Sequence, residues 1–116
     1  MQYKVILTPN FEKDLKKLKR KYRNIADDIE PTLEDLEKGN IKGDVIKMNL
    51  SDDEGSAIKI RVANTDINSG KSGGYRLICY AEKSDGTIFL LTIYCKREKE
   101  DISNKEILKL LAKYCM

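Results

Sequence analysis

Seven cations and two phenols cluster around three segments that read as β-strands. In the run Ala57 to Ala63 (AIKIRVA), Lys59 and Arg61 are two residues apart. Side chains alternate along a strand, so these two share one sheet face while Ile58, Ile60 and Val62 take the other. The segment GKSGGYR, Gly70 to Arg76, adds Lys71, Tyr75 and Arg76. Its glycines can let a phosphate or ribose approach the backbone, or can equally serve turn geometry. A third group, Tyr94, Lys96, Arg97 and Lys99, closes the apolar run Thr87 to Cys95. Cations that hold phosphates, interleaved with aromatics that stack bases, are what single-stranded RNA recognition uses. Taken singly, each segment also reads as an ordinary half-solvated strand running into a charged loop. Convergence of three basic groups on one sheet favours the phosphate-handling reading.

The composition narrows the chemistry. There are no histidines, which removes triads with a His base, His-ligated zinc and paired-histidine nucleases. Protons must move through Lys, Tyr, carboxylates or water, and no metal or other cofactor is expected. Gly70-Lys71-Ser72 does not complete a P-loop, because Thr65 stands five residues before Gly70 and the segment lies between strands. Cys79, Cys95 and Cys115 form no CxxC pair or disulfide framework, and Cys79 and Cys95, in apolar runs, read as small buried thiols of a reducing compartment. No 18-residue apolar stretch exists, which excludes a membrane span, and Met1 to Leu7 is too short for a signal peptide. A cytoplasmic protein is expected.

The elements that must position these groups follow from periodicity. With 116 residues, 41% hydrophobic and 35% charged, the chain fits one soluble domain spanning residues 1–116. Tyr3 to Leu7 predicts a strand, and Thr8-Pro9 a helix entry. Apolar residues from Phe11 to Leu36 recur at helical spacing, with a reversal near Arg23 and Asn24 that makes two antiparallel helices. Pro31 should kink or restart the second, and Gly39 should end it. Val45 to Leu50, Ala57 to Ala63, Tyr75 to Ala81 and Thr87 to Cys95 predict strands; Ser51 to Ser56 is a polar loop, and Asp85-Gly86 turns a hairpin. Ser103 and Glu106 form a capping box for a closing helix. The first helix is basic and the second acidic, which predicts solvated faces in mutual attraction or a partner-binding surface. The formal charge is only +3, and Asp66 is the acid nearest the proposed cationic face.

KIRVA from Lys59, GKSGGYRLICY from Gly70 and LLTIYCKREKEDIS from Leu90 together resemble the RelE/ParE superfamily of type II toxins, most closely its HigB and RelE branch. The resemblance implies an α+β fold in which an N-terminal strand and helical hairpin pack on an antiparallel sheet with a C-terminal helix. It implies an endoribonuclease that enters the ribosomal A site and cuts mRNA without a metal, the 2′-OH attacking its neighbouring phosphate. Partners implied are the ribosome, mRNA and a cognate antitoxin. By motif position, Lys59, Arg61, Lys71, Arg76 and Lys96 are the implied catalytic residues, and Tyr94 joins them as a catalytic candidate that places a phenol nearby; Tyr75, Arg97 and Lys99 are candidate RNA contacts. Where RelE members carry a tyrosine, this sequence has Ser103. The fold equally admits a ParE-like gyrase poison, or an inactive homologue that only binds antitoxin or ribosome.

Overall fold

A helix needs its first free N–H groups satisfied, and the chain does this at residue 8. The Thr8 hydroxyl accepts from Phe11 N at 3.2 Å, with Pro9 at the first helical position. The same hydroxyl donates to the Leu90 carbonyl at 2.7 Å, pinning the helix start to the sheet. The computed structural model describes residues 3–48, 55–68, 70 and 73–115. In chain order these form β1 (Lys4–Leu7), α1 (Pro9–Lys21), α2 (Ile25–Glu37), β2 (Asp44–Val45), β3 (Gly55–Val62), β4 (Tyr75–Glu82), β5 (Thr87–Cys95) and α3 (Asn104–Tyr114). A short 3-10 turn, Thr65–Ile67, lies between β3 and β4. The sheet runs β1-β5-β4-β3-β2. Its β2 to β5 neighbours are antiparallel, whereas β1 joins the edge of β5 in parallel, so the α+β fold carries a mixed sheet.

Alternation sorts the two faces. Ile58, Ile60, Val62, Tyr75, Leu77 and Cys79 meet Phe11, Leu18, Ile25, Ile29 and Leu36 of the helical hairpin. On the opposite face α3 lays Ile107 and Leu111 over Ala57, Ile78, Tyr80, Leu91 and Tyr94. The apolar cover of that second face ends before Arg61, which is exposed.

Several local expectations are refined. Pro31 sits inside α2 without restarting it: the buried residues Ile25, Ile29 and Leu36 on both sides of it hold the helix on the sheet, and the Asp27 carbonyl that loses its partner belongs to an exposed residue. The strand expected over 45–50 is only Asp44–Val45, and residues 49–54 lie outside the described ones. Among the described residues no ion pair joins α1 to α2. The pairs are Lys21–Glu98, Lys59–Asp101, Arg61–Asp44 and Lys99–Glu106. At the acidic start of α2, Asp28 instead accepts from the Thr65 N–H at 3.0 Å and its hydroxyl at 2.9 Å, at the protein surface. No described helix is long and apolar enough to cross a membrane. The Cys79 and Cys95 thiols are buried and unpaired by disulfide.

Gly39 ends α2 with φ +79°, and a β-carbon there would collide with the Tyr3 ring. Gly39→Ala is expected to lower stability by about 1–3 kcal/mol, read as a fall in the urea midpoint. Gly70→Ala, with nothing within 4 Å of its would-be β-carbon, should change it by less than about 0.5 kcal/mol.

Candidate functional site

The strand register assembles the site. Arg61 of β3 stands opposite Arg76 of β4, and Arg76 opposite Tyr94 of β5, a row across three strands. Lys59 lies two residues back along β3, and β2 sets Asp44 opposite it. Lys96 follows β5, its backbone N–H donating to the Gly74 carbonyl at 3.0 Å, which holds the end of the β4–β5 ladder closed. A cleft of about 480 Å³ results, lined by the cations Lys59, Arg61, Arg76 and Lys96, the carboxylates Asp44, Glu100 and Asp101, and Val45 and Ile46.

The four cations sit at different depths. Arg76 is only 5% exposed and its Nη1 donates to the Tyr75 carbonyl at 3.1 Å. Arg61 is open to solvent, its Nη2 3.8 Å from Asp44 Oδ2. Lys59 Nζ reaches Asp101 Oδ1 at 3.0 Å. The chain brings Asp101 there through a tight turn after β5, in which the Glu98 and Lys99 N–H groups both donate to the Cys95 carbonyl. Asp101 Oδ1 also accepts from Ile102 N at 2.8 Å and from Tyr94 OH at 3.4 Å. The bond from Lys59, then that from Ile102, hold the Asp101 carboxyl below the usual carboxylate range. Burial, followed by the Asp101 charge and hydrogen bond, pushes the Tyr94 phenol up to about 12 against a smaller opposing effect of Arg76. At neutral pH Tyr94 is therefore a hydrogen-bond donor and no base. Lys99 Nζ lies 5.8 Å from the Tyr94 ring centre and pairs with Glu106 at 2.8 Å.

The sequence-predicted residues divide accordingly. Lys59, Arg61, Arg76 and Lys96 come together, with Tyr94 joined to them through Asp101. Arg97 is exposed outside the cleft lining, and Lys99 is turned to Glu106 and Tyr94. Lys71 lies outside the described residues. Tyr75 is corrected: it is 0% exposed, on the helix-side face, and packs edge-to-face on Tyr22 at 5.8 Å. It stands next to Arg76, so strand alternation turns it away from the cleft, and it can stack no base. Ser103 is the N-cap of α3, accepting from Glu106 N at 3.2 Å. Asp66 belongs to the helix side, accepting from Asn24 N. The acids of the cleft are instead Asp44, Glu100 and Asp101, which sequence reasoning missed; Glu100 and Asp101 stand in the stretch KREKED that follows β5, and nothing local marks Asp44.

An open cleft with four cations can hold a phosphodiester and stabilise negative charge that develops on it. Asp101 beside Lys59 and Asp44 beside Arg61 offset part of the repulsion among the cations.

The sequence model described as RelE toxin of RelE / RelB toxin-antitoxin system matches residues 4–116. A search of curated proteins found no match.

Titration of the buried groups gives a signed expectation. Tyr94 and Cys79 have native values raised from 10.0 and 9.0 to about 12, so the stability they contribute is intact below the unfolded values and lost as pH rises toward 12. Glu98, Asp101 and Glu106 are lowered, so theirs is present above the unfolded carboxylate range and lost as pH falls through it. Urea midpoints measured against pH should plateau near neutrality and fall on both sides, with Tyr94→Phe flattening the alkaline arm.

Proposed function

The chain belongs to the RelE toxin family, and from that premise we propose that it is a ribosome-dependent endoribonuclease that cuts mRNA in the A site. The observation that carries this reading is the gathering of Lys59, Arg61, Arg76 and Lys96 around one cleft. A gyrase poison acting by protein contact needs no such cleft.

In the proposed reaction the ribosome presents the message, and orientation supplies the proximity. The 2′-oxygen forms a bond to the adjacent phosphorus as the bond to the 5′-oxygen breaks. One fragment ends in a 2′,3′-cyclic phosphate and the other begins with a 5′-hydroxyl; the proton lost by the 2′-OH balances the one gained by the 5′-oxygen. Arg76 and Arg61 bind the scissile phosphate, their planar guanidinium groups suited to two oxygens at once. Lys59 and Lys96 stabilise the charge that grows on the phosphoryl oxygens. Arg97, just beyond Lys96, contacts flanking phosphates. No step calls for a histidine or a metal. Lys71 is kept in this reading as a further catalytic cation on the ground of its motif position in the sequence alone.

A toxin of this kind implies an antitoxin, and the open cationic cleft favours a partner with an acidic or amphipathic segment that covers it. The whole of residues 1–116 acts as one toxin domain in this reading.

Translation of a defined message with the purified protein, followed by primer extension, tests the proposal. Cleavage should require ribosomes. Arg76→Ala should lower the rate on the order of 10²-fold; because Arg76 is buried, the exposed Arg61→Ala serves as a second variant and should cost about tenfold with an unchanged melting temperature. Intact messages together with stabilised gyrase cleavage complexes would overturn it.

A further inference from the structure

We propose that Asp101 is a positioning residue of the cleft, one carboxylate oxygen tying the Lys59 ammonium of β3 to the Tyr94 hydroxyl that follows from β5, across the intervening β4. The inference rests on the functional reading above and adds a residue to it.

Three distances carry it. Asp101 Oδ1 receives Lys59 Nζ at 3.0 Å, Tyr94 OH at 3.4 Å and the Ile102 N–H at 2.8 Å. The third is a rigid backbone donor, so the oxygen is itself anchored before it orients the two side chains. That matters most for Lys59, whose four-carbon stem is flexible and whose ammonium is a compact point charge. Unanchored, it would sample much of the cleft; fastened to Asp101, it stands beside Arg61 and Arg76, where a phosphate would enter. The Tyr94 ring also meets Lys99, whose Nζ lies 5.8 Å from the ring centre and pairs with Glu106 at 2.8 Å. Asp101 and Glu106 thus each pair with a cation, Lys59 and Lys99, and both pairs touch Tyr94, through its hydroxyl and its ring.

A purely structural role for Asp101 is the competing explanation, since it precedes Ser103, the cap of α3. Exposed ion pairs contribute little to folding, and α3 is capped by Ser103 without it. The groups facing Tyr94 are Asp101 and Glu106, which hold its phenol protonated, and Arg76 and Lys99. Removing the Asp101 charge should therefore lower the Tyr94 titration, though not to its ordinary value, because burial remains.

Asp101→Asn keeps an oxygen for Ile102 and loses the charge. On programmed ribosomes kcat should fall about tenfold to a hundredfold with KM nearly unchanged, and the loss should not add to that of Lys59→Ala. The melting temperature should fall only slightly, because the ion pair lost is an exposed one. With carbon-13 labelled tyrosine, the Tyr94 resonance should titrate at lower pH in the variant. Wild-type turnover by Asp101→Asn, on messages that the unmodified protein cuts, would overturn the inference. If the unmodified protein cuts nothing, the functional reading falls instead, and an unmoved Tyr94 titration would then count against Asp101 separately.

Discussion

Everything at the cleft depends on the register of β3, β4 and β5. Period-two alternation places Ile58, Ile60 and Val62 under the helical hairpin and leaves Lys59 and Arg61 on the opposite face. A slip of one residue would drive two cations into the apolar layer and expose three branched side chains, at a cost far above the stability of a small domain. The hydrophobic core thus enforces the spacing of the cations. Helices α1 and α2 never touch the cleft, yet they hold it by fixing which face is buried.

Cations packed this closely repel, and the chain offsets this locally. Asp44 arrives from β2, Asp101 and Glu100 from the turn after β5. Asp44 and Glu100 are exposed, so under the proposed function an RNA phosphate can take their place beside the cations, while Asp101 stays anchored to the Ile102 N–H. Arg76 is the exception in depth: buried at the base of the row, it is preorganised, whereas Arg61 and Lys96 at the rim remain free to follow the substrate. A deep fixed cation with mobile ones above it suits binding to a backbone whose phosphates are presented by a larger assembly.

Much of this was legible in the residues. Alternation in AIKIRVA located the cationic face, Thr8-Pro9 and Ser103 located two helix starts, and Asp85-Gly86 located the β4–β5 turn, because each is a local preference that packing reinforces. What was not legible is long-range. The parallel pairing of β1 with β5 spans most of the chain, and no local signal encodes it. Tyr75 read as a base-stacking surface because it adjoins Arg76, although adjacency in a strand means opposite faces; the same alternation that located Lys59 rules it out. Asp101 was obscured among cations, and its role emerges only when the turn after β5 folds back to Lys59. The opposite charges of the two helices predict mutual attraction or a partner-binding surface; among the described residues no ion pair joins them, and the hairpin is held by apolar contacts to the sheet.

The account places a message phosphate among Arg76, Arg61, Lys59 and Lys96, attacked by its own 2′-hydroxyl. The most direct measurement is cleavage, on translating ribosomes, of a message carrying a single 2′-deoxynucleotide at the position that the protein cuts. The account predicts that this one cut disappears while cuts at unmodified positions persist, and that the remaining products end in 2′,3′-cyclic phosphate. Undiminished cleavage at the substituted position would contradict it.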